Sequence, residues 1–228
     1  MAHSFATVVK RVHVLQMPDP PRNWPEMLKS RESTSWKLAA EKEYARLELK
    51  GTFKHLPSSP PDTQNLLPLM WVFTYKSDVD GYLLSFKARL VVRGDLQVTM
   101  AETAATTLAA RCFRSLIAII AAFGLIMRQY DLINAFINAD VNEKIYVQHP
   151  AGFIKLGILM LLKALYGLKQ SPLLWQKHFS ATLESLGLQQ VPGVDCLYTR
   201  KGLIVFFFVD DIIAACHPNS LHLLNNFE

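Results

Sequence analysis

The 228-residue chain has room for one domain, or for one domain with an extension. Half of its residues are apolar and 19% are charged, which supplies a sizeable core and excludes intrinsic disorder; 10 glycines, 12 prolines and no repeat exclude collagen-like, coiled-coil and low-complexity chains. Lys and Arg number 24 against 19 Asp and Glu, a net charge of +5 that permits a polyanionic partner.

Cys112, Cys196 and Cys216 are odd in number and widely spaced. They suggest neither a disulfide scaffold nor a zinc site, and they fit a reducing compartment. The longest apolar stretch, Leu116 to Met127, has 12 residues, against the ~20 that a membrane span needs. The first 20 residues carry no secretory pattern. A soluble intracellular chain without a membrane partner is expected.

Eight of the 12 prolines fall within the first 68 residues, and all ten glycines lie at or beyond Gly51. Residues 1 to about 35, including Pro18-Asp19-Pro20-Pro21, therefore read as an extended leader with few core positions. Trp36, Ala40, Tyr44 and Leu47 then share one face of a helix that Gly51 ends. Pro57 to Pro68 reads as a loop. Met70–Lys76 and Tyr82–Arg93 read as two strands joined by the turn-forming run Ser77 to Gly81. In the second strand Lys87, Arg89, Val91 and Arg93 point one way, and Ala88, Leu90 and Val92 the other. By themselves those cations describe a solvated strand face.

The stretch from about Ala104 to Phe123 is helix-like and apolar, and Leu125–Asp131 reads as a strand ending on its acid. A further helix is expected from Ser171-Pro172, with serine as cap and proline in the first turn. Its stripe is Trp175, Phe179, Leu183 and Leu186, and Gly187 ends it; such a stripe is core. Beyond Cys196–Thr199 and a turn at Arg200-Lys201-Gly202, two apolar segments, Leu203–Val209 and Ile212–Ala215, are joined by Asp210-Asp211 alone.

Two adjacent carboxylates at a hairpin tip repel each other, and the flanking strands carry no cation. An exposed polar turn is one reading, because Asp suits turns. A divalent-cation site is the other, because hard oxygen ligands hold Mg²⁺ and the ion cancels the repulsion. Two-metal phosphoryl transfer needs a further carboxylate from elsewhere in the chain. Asp131, at the end of its strand, is a candidate donor.

Asp131-Leu-Ile-Asn-Ala-Phe136-Ile-Asn, Glu143-Lys-Ile-Tyr-Val147 and Pro150-Ala-Gly-Phe153 resemble the first palm segment of copia-type retrotransposon reverse transcriptases. Lys163-Ala-Leu-Tyr-Gly-Leu-Lys-Gln-Ser-Pro172 with Trp175 is similar to a later block, and Phe208-Val-Asp-Asp211 to the family's aromatic-X-Asp-Asp box. Trp71-Val-Phe, Lys76, Asp80-Gly81 and Lys87-Ala-Arg-Leu-Val-Val-Arg-Gly94 resemble its fingers hairpin, and Trp36 through Phe53 also fits.

The resemblance implies an α+β right-hand polymerase fragment with a central antiparallel sheet flanked by helices. Fingers would span about residues 36–105 and the palm about 106–228. It implies an RNA-directed DNA polymerase using two Mg²⁺ ions, with Mn²⁺ as a substitute. Asp131 and Asp210 would ligate both ions, Asp211 would be a less essential third acid, and the Leu132 carbonyl would add a ligand. Lys87 and Arg89, with Lys76 as a weaker candidate, would hold the triphosphate. Phe136 would exclude a 2′-hydroxyl, and Tyr166-Gly167 would pack near the nucleotide and template base. Implied partners are an RNA or DNA template with its primer, deoxynucleoside triphosphates, and the integrase and RNase H of a polyprotein. A cytoplasmic particle or the nucleus would be the setting.

Several features depart from the family pattern. The chain stops at Glu228, 17 residues after Asp211, whereas such polymerases continue into a thumb and RNase H. Asp95–Thr107 is short and alanine-rich, Leu156–Leu162 lacks polar residues, and Phe208 replaces the commoner Tyr. The expectation is a truncated fragment, poorly active by itself; the alternative is a non-catalytic remnant that folds and binds nucleic acid weakly.

Overall fold

A computed structural model describes residues 11–57, 66–98, 103, 105, 110–225 and 227. In chain order the main elements are α1 (Trp24–Lys29), α2 (Ser33–Leu49), β1 (Phe53–Leu56), β2 (Leu66–Leu67), β3 (Leu69–Ser77), β4 (Leu83–Val92), α3 (Ala110–Ala122) and β5 (Ile126–Asp131). There follow β6 (Tyr146–Val147), β7 (Ile158–Leu161), α4 (Ser171–Ser185), β8 (Gln189–Gln190), β9 (Leu197–Arg200), β10 (Leu203–Phe208), β11 (Asp211–Cys216) and α5 (Leu221–Asn225). The expected α+β class holds.

The leader is not wholly extended. Asn23 caps α1 by accepting a hydrogen bond from the Glu26 N–H, and Pro25 sits in the first turn. Met27 is fully buried, and Trp24 packs against Trp71, Phe73 and Phe153. The prolines before Arg22 mark breaks, but Asn-Trp-Pro is itself a helix-start signal. In α2 the expected stripe of Trp36, Ala40, Tyr44 and Leu47 is buried, and Gly51 follows at φ +64°.

β3 and β4 form an antiparallel hairpin running from Leu69↔Val92 to Ser77↔Leu83. Its inner positions Ala88, Leu90 and Val92 are buried, as their alternation requires. In the expected Pro57–Pro68 loop, β2 occupies the end and pairs parallel with β6, while residues 58–65 lie outside the described residues. The four-stranded sheet runs β1-β7-β6-β2. Its inner strand β7 explains why Leu156–Leu162 is apolar: Ile158, Leu159 and Leu161 are buried between β1 and β6.

The five-stranded sheet, β5-β11-β10-β9-β8, is antiparallel throughout. It shares a core with α3, through Leu116 and Ile120, and with α4, through Trp175, Phe179 and Leu183. Helix α3 is the described part of the expected Ala104–Phe123 helix; residues 104 and 106–109 lie outside the described residues. A second core joins α1, α2 and β1–β4 to Ile137, Ile145, Val147, Leu159, Leu161, Leu165 and Leu168. The chain thus returns to this core after β5, so a division near residue 105 does not separate the two cores.

Three local expectations change. Ser171 does not cap α4; Gln170 occupies that position, and the buried Ser171 hydroxyl donates instead to the Leu165 carbonyl at 2.7 Å. Leu186 lies past the last helical turn and is exposed, so it leaves the stripe. The hairpin tip is Val209-Asp210 rather than Asp210-Asp211, because Asp211 already pairs with Phe208 and Asp131. The three cysteines are free, and no described helix is long and apolar enough to cross a membrane.

Candidate active site

β5 ends on Asp131 and β11 begins on Asp211, and these residues are direct partners in the antiparallel ladder. Directly opposed residues share a face, so both acids stand on one side of the sheet. The chain then closes on itself: the Leu132 N–H donates to the Asp210 carbonyl at 3.0 Å. The Asp211 carboxylate accepts a bond from Gln129 Nε2 at 3.2 Å.

Asp131 and Asp210 line a cavity of about 320 Å³, together with Leu132, Ile133, Asn134 and Tyr166. The other wall is cationic. Lys87 and Arg89 come from the outward face of β4, Lys76 from β3, and Lys42 and Arg46 from α2. Glu43 of α2 is the carboxylate on that wall, so the cavity is lined by five cations and three carboxylates in all. Asp211, Phe136 and Gly167 do not line the cavity.

Electrostatics record the crowding. Burial, Arg89 and Lys76 together hold the Lys87 ammonium below the usual lysine range. Burial pushes the Glu43 carboxyl up, against the lowering effects of Asn134, Arg46, Lys87 and Arg89. Its side chain accepts a long bond from Asn134 Nδ2 at 3.4 Å, tying α2 to the loop after β5. Asn134 is left-handed, at φ +57°, a conformation its short polar side chain tolerates.

Phe136 is buried one layer beneath the cavity and meets the Tyr166 ring edge-on at 4.7 Å. Burial, then Asp210, pushes the Tyr166 hydroxyl pKa up. The Tyr166 carbonyl accepts from Val92 N–H at 2.8 Å, which fixes the following segment to the end of β4. Gly167, at φ +90°, and Gly94 touch there: a methyl on either would collide with backbone of the other segment.

Of the residues expected from the acids, the strand face and the family resemblance, the cavity brings together Asp131, Leu132, Asp210, Lys76, Lys87, Arg89 and Tyr166. Lys42, Glu43, Arg46 and Asn134 join them without having been expected from the sequence. Lys42 and Arg46 are four apart on one helix face, a spacing shared by countless solvated helices, so only their position beside β4 singles them out. Among the described residues, no three carboxylate, imidazole or thiolate side chains are grouped to hold a metal ion unaided.

Asp131 at the end of β5 and Asp210 just before β11 thus face a cationic wall drawn from α2, β3 and β4. Residues 53–228 match the family of reverse transcriptases (RNA-dependent DNA polymerases), and the chain belongs to that family. It is similar to a retrovirus-related Pol polyprotein from transposon TNT 1-94 of Nicotiana tabacum, with 30% identity over 205 residues covering 85% of this chain and 15% of that protein. The Pol polyprotein from transposon RE1 of Arabidopsis thaliana is 31% identical over 175 residues, covering 72% of this chain and 12% of the relative. That from transposon RE2 of the same plant is 28% identical over 165 residues, covering 68% of this chain and 11% of the relative. The likeness to copia-type polyproteins drawn from the motif blocks is borne out, and the chain spans a small part of such a protein.

Proposed function

We propose that the chain is the fingers-and-palm portion of an RNA-directed DNA polymerase, working within a retrotransposon polyprotein beside integrase and RNase H. Its substrates are deoxynucleoside triphosphates and a primer on an RNA or DNA template. The observation that carries the reading is the meeting of Asp131 and Asp210 in one cavity across from Lys76, Lys87 and Arg89.

Lys87 is a partly desolvated cation beside Arg89 and Lys76, and a triphosphate would add to the countercharge of Glu43 and Asp131. Arg89 presents a planar fork suited to phosphate oxygens. Asp131 and Asp210, with the Leu132 carbonyl, would hold two Mg²⁺ or Mn²⁺ ions. Such ions would supply activation of the primer 3′-hydroxyl and neutralisation of the pyrophosphate charge. The protein donor set is incomplete by itself, which suits Mg²⁺, since it commonly draws its remaining ligands from substrate phosphates and water. Asp211, engaged by Gln129 outside the cavity, has the lesser part. Tyr166 forms the floor under the sugar and base, and Phe136 supports it against a ribose 2′-hydroxyl.

Calorimetric titration with Mn²⁺, with and without dATP, tests this in the unaltered chain and in Asp131→Asn, Asp210→Asn and Asp211→Asn. dATP should tighten Mn²⁺ binding; Asp131→Asn and Asp210→Asn should remove most of that coupling, and Asp211→Asn less. Equal affinities across all four proteins would overturn the assignment. Primer extension run in parallel reports whether bound nucleotide is used.

A further inference from the structure

Val209 is a β-branched residue held at φ +56°, immediately before Asp210. That conformation is a genuine outlier for such a side chain and persists only where its surroundings impose it. Two hydrogen bonds do so. The Trp175 indole Nε1–H donates to the Val209 carbonyl at 2.6 Å, and the Leu132 N–H donates to the next carbonyl, that of Asp210, at 3.0 Å. Consecutive peptide units are therefore gripped from α4 on one side and from the end of β5 on the other.

The donor is itself held by packing. Trp175 is 3% exposed and stacks on Phe179 at 5.1 Å, and Phe179 meets Phe207 of β10 edge-on at 4.8 Å. Packing in this fold does not by itself demand a partner for a buried indole: Trp36 is fully buried and its Nε1–H has none among the described residues. We propose that Trp175 is a positioning residue for Asp210. Its indole N–H locks the left-handed Val209 turn that aims the Asp210 carboxylate into the cavity beside Asp131. Without that bond Val209 relaxes to negative φ, and repulsion between the two carboxylates has a path to separate them. The metal-holding part of this inference rests on the nucleotide-site reading above; the turn geometry does not.

The test uses Trp175→Phe, which keeps a packed ring and deletes the N–H, alone and combined with Val209→Gly, which makes the left-handed turn free of steric cost. The first readout is amide hydrogen exchange at Leu132, whose proton is bonded to Asp210. Trp175→Phe should speed that exchange by about tenfold while the β5–β11 ladder amides stay protected, and Val209→Gly should restore protection. The second readout is Mn²⁺ affinity, which should fall by about 10–100-fold and recover with the same second change, as for other residues that orient a ligand. Unchanged Leu132 exchange, or no rescue by Val209→Gly while the ladder is intact, would overturn the proposal and leave Trp175 as core packing. If the unaltered chain binds no Mn²⁺, the nucleotide-site reading fails while the exchange data still decide the turn. Should Trp175→Phe not fold, the indole proton of Trp175 in the unaltered chain decides: slow exchange supports the bond, and exchange at the solvent rate overturns it.

Discussion

Glu43 places a negative charge against the wall that carries Lys42, Arg46, Lys76, Lys87 and Arg89. Burial is the leading cause of its raised pKa, so folding disfavours its ionised form. Its contribution to stability is therefore full below the ordinary Glu value of 4.5 and is lost as pH rises through the raised folded value. Glu43→Gln removes that dependence and keeps an acceptor for Asn134. Its urea midpoint should exceed that of the unaltered protein at about pH 7 and converge with it near about pH 4. Coincident midpoints at both pH values would show that Glu43 is fully solvated. At Phe136, buried under Tyr166, truncation has two consequences. Phe136→Ala should lower unfolding free energy by about 3–5 kcal/mol in urea titrations. It should also narrow the preference for dATP over ATP in competition binding; an unchanged preference would assign the ring to packing alone.

Among the elements, legibility follows the range of the forces involved. The α2 stripe, the β3–β4 alternation and the apolar β10–β11 pair are readable because each is set by neighbours a few residues away. Helix α1 is hidden by the prolines before it, and Ser171 misleads because its hydroxyl turns to Leu165 rather than to its own helix end. No local pattern gives the contact between Gly94, past β4, and Gly167, before α4. A side chain at position 94 must push the Gly167 carbonyl away, since the two backbones touch. Gly94→Ala should cost about 1–3 kcal/mol, measured by thermal or urea unfolding, and should weaken nucleotide binding by shifting Tyr166. If stability and binding were both preserved, the two segments would have to be separable without consequence for the cavity.

For the whole molecule, two cores are stitched together by a chain that crosses between them more than once. The four-stranded sheet pairs β1 with β7, so residues near the start and middle of the sequence are committed to one body. The cavity lies where the cationic hairpin and α2 face the end of β5. A net charge of +5, with five cations on one cavity wall, predicts salt-sensitive binding to nucleic acid. In fluorescence anisotropy with a primer–template duplex, log affinity should fall linearly with log salt. Lys42→Ala and Arg46→Ala should each reduce the slope by up to about 0.9 for every phosphate left without its cation. A slope identical in the double variant would place these two side chains off the path of the polyanion.

The sequence alone determined the α+β composition, the strand and helix faces, the pair of acids at an apolar hairpin and the ordered blocks that mark the reverse transcriptase family. Those properties follow from periodicity, turn chemistry and residue type, which act within a few positions of the chain. Tertiary structure decided the rest. It brought Asp131 and Asp210 to one cavity, set Lys42, Glu43 and Arg46 on the opposite wall, and buried Phe136 beneath Tyr166. It also forced Val209 into a left-handed turn under Trp175, which nothing in a valine announces. The reason is physical: strain and long-range juxtaposition are sustained by the packing of two complete cores, and no segment carries that information until both have formed.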